Sequence, residues 1–179
     1  MKEHRAPASL HKALAQRSWA KVIQIICSLP PEQGLIHQSQ VLLAMAHLEK
    51  RQNRIGLRVI SKAMLSNPYC PMVYWVVGNA MQQGGRHYEA IHAYVTAVSI
   101  VGSANCPSCC VRHRAKAKGL VADALLHSHF SYKALGQHAQ ADVTFDKHLS
   151  FRGPGCYSIY RLQEIPEKLE DLRIFRTVA

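Results

Sequence analysis

The sequence predicts an all-α fold built from repeated helical hairpins, and two observations carry that prediction. Between residues 71 and 104, two apolar stripes at helical spacing flank Gly84-Gly85, which is typical of helix, tight turn and helix. The same spacing recurs with a period of 34 residues, which is typical of a helical-repeat array. The first stripe comprises Tyr74, Val77, Gly78 and Met81, and the second comprises Tyr88, Ile91, Tyr94, Ala97 and Val98.

Small residues within these stripes predict close packing of the two helices. Gly78 and Ala90 carry too little side chain to hold antiparallel helices apart. We expect the rings of Tyr74 and Tyr94 to fill the space beside them, because protein interiors are densely packed.

At these positions the chain resembles the tetratricopeptide repeat (TPR) family. The family pattern is an aromatic residue, Leu-Gly, an aromatic, Gly, Ala, an aromatic and Ala, and the string GRHYEAI matches its middle. The resemblance implies a right-handed α-solenoid of TPR helix-turn-helix repeats with a C-terminal capping helix. The matching residues are Tyr74, Val77, Gly78, Met81, Gly85, Ala90, Tyr94 and Ala97.

The register predicts a single domain over residues 1–179. Pro30-Pro31 ends a helix early, so the first repeat is expected to be degenerate. The 34-residue register fails after residue 104 and returns 17 residues late, where Tyr132, Gly136 and Phe145 match the pattern. The first helix of this last repeat is expected to be long, from about 111 to 135. The predicted units are repeats at about 3–36, 37–70, 71–104 and 122–155, an insertion at 105–121 and a C-terminal helix at about 160–176.

Composition narrows the class of protein. With 48% hydrophobic residues the chain is expected to be globular, and no apolar run reaches the ~18 residues of a membrane span. Six irregularly spaced cysteines do not predict a disulfide framework, which favours a cytoplasmic or nuclear location. The net charge of +11 permits an acidic partner, but it also fits a solvated surface or a fragment of a longer protein.

The TPR resemblance implies a ligand groove on the concave face, lined by the first helix of each repeat. The places that hold a carboxylate clamp in chaperone-binding members carry Val41, Met45 and Val76, so an apolar peptide is the expected ligand, helical or extended. Packing of Val41 and Val76 in the core is the competing interpretation. The predicted groove residues are Val41, Met45, Leu48, Met72, Trp75, Val76, Asn79, Gln82, Leu126, His127 and Phe130.

The insertion holds a group of possible metal ligands and a basic patch. The string from Cys106 to His113 offers thiolate and imidazole ligands for zinc, but a second ligand pair is missing, so plain loop thiols are the preferred interpretation and no metal is expected. The basic patch can dock an acidic partner or phosphates, or can be a solvated face. The zinc candidates are Cys106, Cys109, Cys110 and His113, and the basic patch is Arg112, Arg114, Lys116 and Lys118.

An amphipathic segment follows the last repeat. Its apolar stripe predicts either an ordinary solvating cap or a helix that folds back into the groove. The whole layout, with an insertion before the last repeat and a tail helix, is similar to the TPR domain of the NADPH oxidase activator subunit. The stripe residues are Leu162, Ile165, Leu169, Leu172 and Phe175.

No phosphate loop, nucleotide fingerprint or nucleophile elbow is present, so we expect neither an enzyme nor a cofactor. The sequence therefore predicts a protein-interaction adaptor or scaffold. The alternative is a nucleic-acid-associated TPR module that acts through the basic patch, although that segment lacks the aromatic residues that stack on bases.

Overall fold

A computed structural model describes residues 7–30, 37–103, 114–154 and 156–158, and within these residues the chain forms eight α-helices and no β-strand. Consecutive helices pair as hairpins. The fold is an all-α helical-repeat solenoid, as predicted. The helices are α1 (Ala8–Ala15), α2 (Trp19–Cys27), α3 (His37–Glu49), α4 (Asn53–Ser66), α5 (Pro71–Gln83), α6 (His87–Gly102), α7 (Arg114–Ala134) and α8 (His138–Phe151).

Every hairpin turns in the same way. One residue per turn has a positive φ: Arg17 at 50°, Arg51 at 60°, Gly85 at 72° and Gly136 at 75°. Each is followed by a residue whose N–H bonds back to a carbonyl five positions earlier, at 2.9 Å in all four turns. This pattern is a helix C-terminal cap in which the αL residue reverses the chain. The four turns are spaced 34, 34 and 51 residues apart, so the 17-residue offset predicted before the last hairpin is present in the backbone.

The first helix of each hairpin (helix A: α1, α3, α5 and α7) forms one layer and the second (helix B: α2, α4, α6 and α8) forms the other. Helices α3, α5 and α7 contact one another in order, and each helix B also contacts the next helix A. The main core runs through α3–α7, and a smaller cluster joins the first hairpin to α3 through Ala46. The smaller cluster comprises Leu10, Ala13, Val22, Ile26 and Ala46.

Close approach of α5 and α6 depends on Gly78. A Cβ at this position would lie 2.6 Å from Cδ1 and 2.8 Å from Cζ of the Tyr94 ring, which is fully buried. Gly56 plays the same part between α4 and α3, because a Cβ there would lie 2.7 Å from Cδ2 of Leu48. The predicted role of the small residue at Gly78 is confirmed.

Helix α7 has 21 residues, so the prediction of a long helix is confirmed over residues 114–134. Residues 104–113, which include the zinc candidates Cys106, Cys109, Cys110 and His113, lie outside the described residues, as does the predicted C-terminal helix. In the part of the chain that is described, no helix has both the length and the hydropathy needed to cross a membrane.

Candidate concave binding surface

The predicted groove residues lie within the layer of A helices, but none of them is exposed. Nine are buried, and Met72 and Gln82 are half-buried. Val41 and Val76 pack in the main core, which agrees with the competing interpretation of these two residues. That this layer binds a partner stays a prediction. The nine buried residues are Val41, Met45, Leu48, Trp75, Val76, Asn79, Leu126, His127 and Phe130.

Gln82 joins two neighbouring repeats. Its amide Nε2 donates to the backbone carbonyl of His127 at 2.8 Å and to the hydroxyl of Ser131 at 2.9 Å. Its Oε1 accepts from Nδ1 of His127 at 2.7 Å, which assigns the proton of that ring to Nδ1. A single half-buried amide therefore satisfies polar groups on two turns of α7.

Tyr94 extends this network into α6. Its hydroxyl donates to Oδ1 of Asn79 at 2.8 Å, and Oε1 of Gln82 is a longer 3.3 Å away. The ring of His127 lies 5.5 Å from the Tyr94 ring and 5.8 Å, edge to face, from the Trp75 ring. Sequence patterns placed Trp75, Asn79, Gln82 and His127 together, but gave no signal that Tyr94 would add a hydrogen bond.

Two buried histidines form hydrogen bonds between α7 and α8. His129 occupies the position that is glycine in α5, and its Nδ1 donates to the carbonyl of Ala141 on α8 at 2.8 Å. His148 donates from Nδ1 to the carbonyl of Ala122 at 2.7 Å. Phe145 lies between them, with ring centroids 4.9 Å from His129 and 5.8 Å from His148. Each imidazole thus joins α7 and α8 by a hydrogen bond, whereas the small residue Gly78 allows the close approach of α5 and α6.

Burial lowers the pKa of both His129 and His148, because a charged imidazolium would lose its hydration there; the hydrogen bonds to backbone carbonyls oppose this only in part. In the unfolded chain the two imidazoles take up protons near their ordinary pKa of 6.5, whereas in the folded chain they do so only at lower pH. The free energy of unfolding should therefore fall below about pH 6.5, by at most about 1.4 kcal/mol per pH unit for each ring.

Urea denaturation at several pH values tests this dependence. Replacing both histidines with glutamine should flatten the slope below about pH 6.5. His92→Gln, at an exposed position on α6, should leave the slope as it is in the parent chain. An equal slope in the parent and the double variant would show that other groups cause the acid sensitivity.

The residues after α8 return onto α7. The N–H of Tyr157 donates to the carbonyl of Ala115 at 3.0 Å, and the hydroxyl of Ser158 donates to the buried carboxylate of Asp123. Between these two contacts, a Cβ on Gly119 would overlap the Tyr157 carbonyl group and lie 2.9 Å from N of Ser158. Gly119 therefore provides the space for this backbone crossing, which sequence reasoning did not find.

Burial raises the pKa of the Cys156 thiol, and the positive charge of Arg152 opposes this. The thiol is therefore expected to stay protonated near neutral pH.

No group of three or more histidine, cysteine, aspartate or glutamate residues that could hold a metal ion occurs among the residues described.

The basic patch is partly visible. Arg114 and Lys116 are exposed on the first turn of α7, and Lys118 is half-buried. Arg112 lies outside the described residues. Both exposed charges are in contact with solvent at the start of α7. That they dock an acidic partner stays a prediction.

The hairpin array has counterparts among solved structures. A crystal structure of MamA superposes with a TM-score of 0.56 and 16% identity over 79% of this chain and 73% of that one. The chain has a TPR-like fold. Two further MamA structures, designated AMB-1 and MSR-1, give TM-scores of 0.52 and 0.51, each with 17% identity over 80% of this chain and 73% and 71% of those chains.

The likeness to MamA is one of fold, because the sequence identities are low. No protein-family model matches the chain, and a search of curated proteins found no relative. A shared fold by itself does not determine what a chain binds.

Proposed function

We propose that this TPR-like chain is a non-enzymatic interaction adaptor whose concave layer binds an apolar peptide, helical or extended. The observation that carries the proposal is the continuous layer formed by α3, α5 and α7, whose side chains are mainly apolar. Such a layer suits the apolar face of a helix, because burial of apolar surface drives that kind of recognition. The positions that hold a carboxylate clamp in chaperone-binding TPR domains carry Val41, Met45 and Val76 in this chain.

The basic patch supplies a second contact in this proposal. Arg114 and Lys116 are exposed on the first turn of α7, one of the three helices of this layer. An acidic segment next to the apolar part of a partner would meet them there, and exposed charges mainly increase the rate and selectivity of association.

Affinity purification with mass spectrometry tests the proposal, using three variants of the full chain. Met72→Glu places a charge on a half-buried concave position, and Val95→Glu places the same charge on the exposed face of α6 as a control. The third variant reverses the patch with Arg114→Glu and Lys116→Glu. We expect Met72→Glu to reduce partner recovery about tenfold or more, as loss of an interface anchor does, and Val95→Glu to leave it unchanged.

Other outcomes assign the function elsewhere. Loss of partners only on charge reversal would move the function to the basic patch. If those partners were also removed by nuclease treatment, the chain would be a nucleic-acid-associated module, and binding to RNA or DNA should then weaken steeply with salt. Equal recovery by all variants would refute both sites.

A further inference from the structure

Helix α4 carries a row of cations on its outer face. Arg54, Arg58 and Lys62 are all exposed and lie four residues apart, so they form one line along the helix (the α4 row), roughly 12 Å long. Their side chains make no hydrogen bond or ion pair with other described residues. Residues 50–85 contain five lysines and arginines and no aspartate or glutamate, so no acidic neighbour along the chain neutralises the row.

The equivalent positions on other B helices show that the fold does not require these cations. The period of 34 residues between the hairpin turns relates each position on α4 to one on α2 and one on α6. None of the related positions carries a lysine or an arginine, although the helices pack in the same way. The equivalent residues are Ala20, Gln24 and Ser28 in the first hairpin and Tyr88, His92 and Thr96 in the third.

The α4 row is unfavourable for its own helix. Like charges four residues apart on a helix repel one another. Arg54 is also the second residue of α4, whose first turn has no acidic residue, so a cation lies at the positive end of the helix dipole. A row that neither packs nor pairs, and that costs the helix stability, is typical of a surface that binds an acidic partner.

Two exposed apolar side chains follow the row. Leu65 has 86% of its surface exposed, more than any other large apolar residue in the described part of the chain, and Tyr69, in the turn after α4, has 66%. Leu65 faces the same way as Arg54 and Arg58, because residues seven and eleven positions apart on a helix point in nearly one direction. The outer face of α4 therefore ends in an apolar contact next to the cations.

The distribution of charge favours a linear partner over a flat one. Helix α6 has no lysine or arginine, and α2 and α8 have one each, so the cations of the B layer are concentrated on a single helix. An anionic membrane would be attracted by cations spread over several helices. A single-stranded nucleic acid could follow a row, but base stacking needs aromatic faces, and the α4 row contains none and continues into a leucine.

We propose that the outer face of α4 binds an acidic amphipathic helix of a protein partner. Carboxylates four residues apart on that helix have the same spacing as the α4 row, since both rise about 6 Å per step. An apolar residue one turn beyond the carboxylates packs on Leu65 and Tyr69. This face belongs to the layer of B helices, and the concave surface belongs to the layer of A helices. The inference therefore does not depend on the proposed function, and the chain has room for both partners.

Fluorescence anisotropy with the full chain tests this surface. The probes are two labelled helical peptides that carry three glutamates one turn apart, with a leucine one turn after or one turn before them, which covers parallel and antiparallel docking. Replacing the α4 row by Arg54→Gln, Arg58→Gln and Lys62→Gln should lower the affinity about tenfold, because three exposed charge pairs are lost together. A peptide with glutamine in place of glutamate should not bind.

Matched variants separate the α4 row from net charge and from general exposure. Lys12→Gln, Lys21→Gln and Lys147→Gln together remove the same charge from exposed positions on three other helices, and should lower the affinity less than about twofold, since salt screens distant charges. Leu65→Ser should lower the affinity about three- to fivefold through the lost apolar contact. Val95→Ser, at an exposed position on α6, should leave the affinity unchanged.

Urea denaturation of the same variants tests whether the α4 row has a structural role instead. Removing the three cations should leave the urea midpoint unchanged or raise it, because it relieves repulsion on α4. A lower midpoint would show that the cations stabilise the chain itself, which contradicts their assignment to a partner.

Loss of affinity in the α4 row variant and in Leu65→Ser, with both controls near the parent value, supports the inference. No binding of either glutamate peptide at low salt overturns it, as does equal loss in the row variant and its matched control, since binding would then follow net charge. Unchanged affinity in Leu65→Ser contradicts an amphipathic partner. Tighter, row-dependent binding of oligothymidylate, or of vesicles that contain phosphatidylserine, would assign this face to nucleic acid or membrane and also overturn the proposal.

Discussion

Gly78→Ala is expected to lower the free energy of unfolding by about 3 kcal/mol, although alanine is the better helix former. The added methyl group would lie 2.6 Å and 2.8 Å from two carbons of the Tyr94 ring. That ring is 0% exposed and its hydroxyl is bonded to Asn79, so it has no free space to move into. Helices α5 and α6 must therefore separate, and the contacts along the whole hairpin weaken.

Urea denaturation of the parent chain, Gly78→Ala and Gly102→Ala measures this effect. Gly102 lies at the end of α6 with open space around it, so alanine there should change stability by less than about 1 kcal/mol. Equal stability of Gly78→Ala and Gly102→Ala would show that the Tyr94 ring adapts, and that the small residue is not required for the close approach.

Gln82→Ala is expected to cost about 2–4 kcal/mol and to loosen α7 from α5. The substitution removes two donors, to the His127 carbonyl and the Ser131 hydroxyl, and one acceptor for the His127 ring. Both His127 and Ser131 are buried, so the loss of these bonds is only partly repaired by solvent.

Gln83→Ala is the control for this prediction, because its side chain is the same and its buried Oε1 makes no hydrogen bond among the described residues. It should cost less than about 0.5 kcal/mol. Hydrogen exchange should show faster opening of α7 in Gln82→Ala than in Gln83→Ala. A double-mutant cycle with Ser131→Ala that gives no coupling energy would contradict the proposed link between the repeats.

The amino-acid sequence alone was enough to predict the all-α class, the hairpins and the long α7. These features depend on short-range contacts: stripes at i, i+3 and i+4, and a turn residue that accepts a positive φ. The turn register also includes Arg17 and Arg51, where the residue with positive φ is not a glycine. Repetition strengthened the prediction of helical hairpins, because the same pattern of apolar residues recurs in successive repeats.

The tertiary structure decided which surfaces are covered and which polar groups are paired. Gln82 and His127 are 45 residues apart, and Gly119 meets Tyr157 only because α8 returns the chain to the start of α7. His129 fits a position typical of glycine because the carbonyl of Ala141 lies opposite it. No local period encodes such pairs, because they depend on how whole helices are placed relative to one another. The sequence by itself determined the repeating helical hairpin, and the packing of hairpins against one another determined which residues each helix face contacts.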